Sequence, residues 1–264
     1  MKTKTWKAGL FGVLALASFA PVAHADGDAA PAWGPFTAGV ALTSDYRFRG
    51  LSQADRDAAV QGWVQYDHAS GFFGNIWGSY IDFNDGGVFT TDDSNVEIDL
   101  TAGYNHSFSD KTSGTIKGVY YWYADADYLP GSNDYDYFEL IASLSHDFGV
   151  AGVSGELAWS PDYFGESGDA VSLKGGVTYP VMDKFLFMGA LTASANLGYQ
   201  WIDENGTFGT PDYLYFDIGA TAEWEIFAID LRWVDTDLDN GECYGGTTLC
   251  EGGVVLTLTA NLPG

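Results

Sequence analysis

The sequence predicts an all-β fold, a single up-and-down antiparallel transmembrane β-barrel of about 12 strands. Three observations predict it. Apolar residues recur at every second position on a face free of charge, the connections between such stretches alternate short and long, and aromatic residues gather at the ends of the apolar face. The stretch NVEIDLTAGYN (95–105) shows the first pattern. Val96, Ile98, Leu100, Ala102 and Tyr104 fall on one side, and Glu97, Asp99, Thr101, Gly103 and Asn105 on the other. A ribbon of this kind either covers a globular core or turns its apolar side to lipid and its polar side to a lumen.

The N-terminus sets the expected compartment. Lys2, Lys4 and Lys7 precede an apolar run at 8–20, and Ala23-His24-Ala25 places small residues at both positions a signal peptidase requires. Residues 1–25 therefore read as a cleavable secretory signal peptide, 26–35 as a short flexible N-terminal segment and 36–264 as the barrel. Loss of three lysines and no acid takes the net charge from −25 to about −28. Charge of that sign argues against nucleic acid as a partner. No later apolar run is long enough to cross a bilayer as a helix, which leaves soluble, surface-bound or β-barrel forms.

Turn signals divide the remainder into twelve alternating stretches near 36–48, 58–68, 72–82, 94–107, 114–125, 135–147, 151–160, 169–180, 187–201, 213–224, 226–235 and 253–263. Connections near 69–71, 108–113, 148–150, 181–183 and 225 are short. Those near 49–57, 83–93, 126–134, 161–168, 202–212 and 236–252 are longer and acidic. Short turns on one rim and long loops on the other are the habit of outer-membrane barrels, and this order puts both termini on the periplasmic side.

The apolar face is uncharged in every stretch that can be oriented; 72–82 is apolar on both sides and cannot be. Aromatic residues on that face form two expected girdles, Tyr46, Phe48, Trp122, Trp159, Tyr199 and Trp233 near the long loops and Tyr66, Tyr104, Tyr179 and Trp224 near the short turns. The opposite face would line the pore with Asp67, Glu97, Asp99, Lys117, Glu139, Glu156, Lys174, Asp217, Glu223, Asp230 and Arg232. Acids outnumber bases there, so an open lumen would favour small cations or neutral polar solutes. A barrel of this size is either a narrow pore or a plugged one.

Continuing the parity of the first stretch through SDYRFRG (44–50) points Tyr46 and Phe48 outward and Asp45, Arg47 and Arg49 inward at the upper mouth. The two arginines would either tune solute passage or brace the wall by pairing with acids such as Glu97 or Asp99. Both readings stand on the residues alone. Together with AVQGWVQYDH (59–68) and WVDTDL (233–238), this stretch resembles the TorF family of outer-membrane porins, catalogued as secreted bacterial proteins of unknown function. The likeness spans essentially the whole mature chain and implies a barrel and a channel, without an established substrate. The ending Asn261-Leu262-Pro263-Gly264 lacks the terminal aromatic residue of many outer-membrane strands.

Other motifs have bland readings beside the sharp ones. Cys243 and Cys250 are expected to form a disulfide in an oxidising compartment, a link that stabilises by about 2–3 kcal/mol in the chain-entropy model. Two thiols without neighbouring histidines do not make a zinc site. DTDLDNG (235–241) begins with calcium-loop spacing, yet its glycine is one position late and the twelfth-position glutamate is missing. His68, His106 and His146 recur at the short-turn ends and read as interfacial residues. No catalytic residue, metal or cofactor is assigned. The expected partners are outer-membrane lipid, lipopolysaccharide and small polar solutes. A passive porin in the bacterial outer membrane is the leading reading; a plugged barrel with an enzymatic or structural role, and a secreted carbohydrate-binding β-protein, are the alternatives.

Overall fold

The computed structural model describes residues 34–83, 94–124, 126, 133–186 and 189–262. The expected signal peptide (1–25), much of the 26–35 segment, most of the 83–93 and 126–134 connections and the last two residues lie outside the described residues. In chain order the strands are β1 (Phe36–Thr43), β2 (Arg47–Phe48), β3 (Leu51–Ser52), β4 (Ala59–Asp67), β5 (Phe72–Tyr80), β6 (Val96–Ser109), β7 (Thr112–Ala124), β8 (Tyr137–Asp147), β9 (Gly152–Ser160), β10 (Ala170–Met182), β11 (Leu191–Ile202), β12 (Tyr213–Trp224), β13 (Phe227–Thr236) and β14 (Gly253–Leu262). Among the described residues, β1 and β4 to β14 form one closed antiparallel barrel, and β2 and β3 form a separate two-stranded ribbon. Each barrel strand pairs with its sequence neighbours. β1 closes on β14 from Ala38 opposite Leu262 to Thr43 opposite Thr257. The closure leaves no free sheet edge, so the ladder satisfies backbone groups that lipid could not.

Alternation decides which way each strand faces. On β6, Val96 and Leu100 are exposed outward while Glu97 and Asp99 are almost wholly buried on the inner side. The outer surface is a continuous apolar belt, with Val40, Val64, Ile76, Leu140, Leu157, Leu197, Leu231 and Leu258 all open to the surroundings. Trp122, Trp159, Trp201 and Trp233 rim it near the long loops. Tyr66, Phe72, Tyr179 and Trp224 rim it near the short turns, with Tyr104 half-buried on the same face.

The stretch that sequence could not orient is settled by its neighbours. Phe72, Ile76 and Tyr80 of β5 face outward, and Phe73, Asn75, Trp77 and Ser79 face inward. Its inner face is apolar because Trp77 packs against Tyr46, ring centroids 5.3 Å apart. The inner wall also makes room for large rings by pairing them with glycine. Trp63 lies directly across the ladder from Gly39, and a Cβ on that glycine would meet the indole at 2.1 Å. The ring therefore lies flat along the wall.

Three expectations need correction. The first strand ends at Thr43 instead of continuing to 48, because the chain bends into the barrel there. Tyr46, only 2% exposed, and Phe48, packed against Tyr121, consequently lie inside and are not girdle residues. The connection at 49–57 is for the same reason no external loop; its first part is the ribbon within the lumen. The turn expected at 181–183 is longer, since β10 runs to Met182 with a register shift after Pro180 and β11 starts only at Leu191. Proline has no N–H for the ladder, which favours a bulge at that point.

The exposed apolar belt has a direct test on one strand. Leu157 of β9 is exposed on the outer face, and Ser154 is exposed on the inner one. Leu157→Arg is expected to destabilise the barrel in phospholipid vesicles by about 2–4 kcal/mol, and Ser154→Arg by clearly less, as read from denaturant unfolding. Equal costs would mean that the two faces do not meet different solvents.

Candidate functional site

The site is the ribbon of residues 44–57 seated in the upper lumen. Its entry is fixed locally. Ser44 makes a final rung with Leu256, its N–H donating to the Leu256 carbonyl at 2.9 Å and its Oγ accepting from the Leu256 N–H at 3.0 Å. Thr43 Oγ1 then donates to the Asp45 carbonyl at 2.8 Å and turns the chain inward. Arg47 pairs with Ser52 and Phe48 with Leu51, leaving Arg49-Gly50 as a two-residue turn. Both turn residues have positive φ, 48° and 88°, as a tight hairpin of this length prefers. Gly50 answers a second demand, since a Cβ there would sit 2.4 Å from Thr236 Cγ2. The turn is pressed against the wall.

Side chains from several strands hold the ribbon. Arg49, at the tip, donates to Glu139 of β8 at 2.9 Å and to Gln200 of β11 at 2.9 Å, and its guanidinium lies 4.7 Å from the centre of the Phe48 ring. Tyr121 of β7 donates to the same Glu139 carboxylate at 3.0 Å. Tyr46 reaches the other side, donating to Glu97 of β6 at 2.7 Å. Asp45 accepts from Arg47 Nε and from Ser52 Oγ, the latter at 2.7 Å, and so ties the base of the ribbon to itself. Arg47 Nη1 donates to the carbonyls of Gly50, Leu249 and Glu251 at 3.0, 3.2 and 2.9 Å.

Above the ribbon lies a layer of aromatic rings. Tyr121 stacks on Tyr137 at 4.3 Å, Tyr135 on Phe164 at 4.8 Å, and Phe208 approaches Tyr244 at 5.5 Å. Phe208 ends a single helical turn, α1 (Asn205–Phe208), which lies in the loop between β11 and β12. A small depression lies between this layer and Phe48, Leu51 and Gln53. Burial raises the hydroxyl pKa of Tyr163, against the opposing pull of Arg49, and burial raises that of Tyr244 as well. Both hydroxyls therefore stay protonated, and that of Tyr163 accepts from Arg49 at 3.5 Å.

Nearer the short-turn rim the wall is charged and mostly paired. Lys174 contacts Glu156 at 2.9 Å, and Arg232 bridges Asp217 and Asp230. Asn196 adds bonds to Asp217 at 3.0 and 3.1 Å, and Thr221 donates to Asp230 at 2.6 Å. Lys117 is buried on the same face, and one oxygen of Asp99 is buried without a hydrogen-bond partner. Glu223 sits exposed at the rim, and Asp67 accepts from Gln65.

The wall charges lie on the inner face that their strand parity gives, whereas Asp45, Arg47 and Arg49 are inside because the whole ribbon is, Tyr46 and Phe48 included. The partners differ from those expected: Glu97 holds Tyr46 instead of an arginine, and Arg49 chooses Glu139. Sequence reasoning also missed Tyr121, Tyr163, Gln200 and Leu249, which carry the seat of the ribbon. Tyr121 and Gln200 stand at inward positions of their strands, and that parity was the available signal. Cys243 and Cys250 are joined as a disulfide, as expected.

Residues 26–261 match the family model described as "Bacterial protein of unknown function (Gcw_chp)". No curated protein matches the chain. Among solved structures, the chain is similar to the KdgM porin, with TM-score 0.52 and 8% identity over 86% of this chain and 98% of that one. The KdgM porin in complex with disordered oligogalacturonate gives 0.51 and 8% over 86% and 97%. LpxR from Salmonella typhimurium gives 0.46 and 8% over 86% and 99%. At such identity the likeness is one of fold, that of outer-membrane barrels. With the match covering nearly all of the barrel, the chain belongs to the Gcw_chp family of bacterial proteins.

Proposed function

We propose that this protein is an outer-membrane channel that passes small polar or cationic solutes without an energy source, and that the ribbon at 44–57 is its constriction. One observation carries the reading: the inner face of a closed barrel is polar and charged, and a separately folded ribbon is seated inside it. A barrel that served only as a scaffold would have no use for a charged wall below such an insert. The surplus of inward acids supports preference for cations, because fixed charge in a narrow, low-dielectric passage sets selectivity. Residues 1–25 act as the export signal in this reading, and the apolar belt meets lipid and lipopolysaccharide. The TorF resemblance fits the same role, and its most specific stretch is the ribbon itself.

Arg47 and Arg49 act here as braces. Arg49→Leu strands Glu139 as a buried carboxylate with Tyr121 as its remaining donor, a loss of about 3–5 kcal/mol for a broken buried pair. The ribbon should leave its seat. In planar bilayers the wild type is expected to show small or rare openings. Arg49→Leu, and a variant with 45–54 replaced by a short Gly-Ser linker, are expected to show larger and more frequent ones. Silence of all three proteins, with the barrel intact by heat-modifiable migration, would overturn the channel reading.

Selectivity is tested separately. Under a salt gradient the reversal potential of the linker variant is expected to show cation preference. Glu223→Gln with Asp67→Asn at the lower rim is expected to weaken it. Anion preference in the linker variant would contradict the charge argument.

A further inference from the structure

The last long loop makes an unusual set of contacts with the ribbon. Between β13 and β14 it folds through a short 3₁₀ turn (Asn240–Glu242) and is closed by the disulfide between Cys243 and Cys250. Its backbone carbonyls then point at the ribbon. Leu249 accepts from the Ser52 N–H at 2.9 Å and from Arg47 at 3.2 Å, and Glu251 accepts from Arg47 at 2.9 Å. Arg56 donates to the Thr248 carbonyl at 3.2 Å and to the Glu251 carboxylate at 2.7 Å. Leu249 itself is 1% exposed and packs with Leu51 in the buried cluster.

The disulfide stands where these carbonyls are presented. Cys250 lies between Leu249 and Glu251, and its own carbonyl accepts from Thr236 Oγ1 at 3.0 Å. Cys243 is braced on the other side, its carbonyl accepting from the N–H groups of Gly246 and Thr247, both at 2.8 Å. The neighbouring Tyr244 N–H donates to Gly209 at 3.0 Å, which ties the loop to the next connection along the rim. Beside the S–S bond, the 248–252 segment is held on its own side by Thr236 on the Cys250 carbonyl, by Asn240 on the Glu251 carboxylate at 2.8 Å and by the Glu251 N–H on the Thr248 carbonyl at 3.1 Å, and the S–S bond is the covalent one among these restraints.

We propose that the disulfide-closed loop is the clasp that keeps the ribbon in the lumen, with Arg47 and Arg56 as its counterparts, so that the state of the disulfide sets how readily the channel opens. The clasp rests on the channel reading for its consequence, while its physical content, the seating of the ribbon, does not. Opening needs no chemistry beyond reduction of the disulfide to two thiols. A phosphine reductant supplies the two electrons and becomes the phosphine oxide, with water giving the oxygen and two protons. Both sulfurs are buried, so a variant lacking the bond is the cleaner probe.

The test compares the full-length protein in lipid vesicles as wild type, as Cys243→Ala/Cys250→Ala and as Arg47→Met/Arg56→Met, with phosphine-treated wild type beside them. Amide exchange of the peptide covering 46–53 is expected to quicken at least about tenfold in both variants, while peptides from β6 to β11 stay protected. Channel open probability is expected to rise in parallel in planar bilayers. Unchanged exchange in the cysteine variant would overturn the clasp even if the linker variant conducts. Quickened exchange without conductance in any protein would uphold the clasp and remove the channel reading instead. If the cysteine variant fails to insert, in situ reduction of inserted wild type gives the same decision from the exchange of 46–53 alone.

Discussion

The interior of this barrel is organised around one buried contact, the guanidinium of Arg49 on the carboxylate of Glu139. Both groups are buried, and each would be costly to bury by itself. Their pairing is completed by Gln200 on the arginine and Tyr121 on the carboxylate. Because Arg49 sits at the tip of a two-residue turn and Glu139 on a barrel strand, the contact fixes where the ribbon ends. The rest follows from that anchor. Gly50 must be glycine to let the turn reach the wall, and Phe48 fills the space beside the guanidinium.

A second constraint comes from the barrel being closed. Twelve strands enclose a limited section, and several large rings point into it. The inner wall accommodates them by setting glycine opposite the ring, as with Gly39 and Trp63 or Gly198 and Tyr215. The rings lie along the wall, and the axis is left for the ribbon above and the charged groups below. The same closure explains how strands with few apolar residues per face stay folded. Each strand pairs with a neighbour on both sides, and closure leaves no edge to fray.

Much of this architecture was legible because alternation is a local property. A residue's face depends only on its count along the strand, so the strand order, the outward belt and the inward charges at Glu97, Lys117, Glu156 and Asp217 could be read directly. The ribbon was not legible for the same reason. Asp45 to Phe48 resume the alternation of β1 beyond a bend, so parity carried Tyr46 and Phe48 outward when the chain had already left the wall. Of the residues that bend it, Thr43 uses a local bond to the Asp45 carbonyl, and Ser44 uses the backbone groups of Leu256 on β14, more than two hundred positions away. The only local sign was Arg49-Gly50, a pair able to form a tight turn. The inward tyrosines escaped for another reason: a polar-against-apolar count files Tyr121 and Tyr137 with the apolar residues, although their hydroxyls and faces serve the lumen.

The topology around the ribbon bears on how it moves. The chain leaves the wall after Thr43 and rejoins it at Ala59, and these two residues face each other across the β1–β4 ladder. The excursion therefore begins and ends at one rung, and its backbone meets the wall elsewhere at the Ser44–Leu256 rung and at an isolated bridge between Ala54 and Asp82. Beside the Asp82 N–H on the Gln53 carbonyl, its restraints are of two further kinds. Across the lumen they are few and strong, Arg49 to Glu139 and Tyr46 to Glu97; at the rim they are several and weaker, the carbonyls of the last loop on Arg47 and Arg56. Loss of the rim contacts alone leaves the tip anchored, which gives partial loosening, whereas loss of Arg49 frees the tip while the base stays held by Asp45, Arg47 and Ser52. Two graded ways of loosening thus follow from one ribbon, and the second alone leaves a wall carboxylate, that of Glu139, without its arginine.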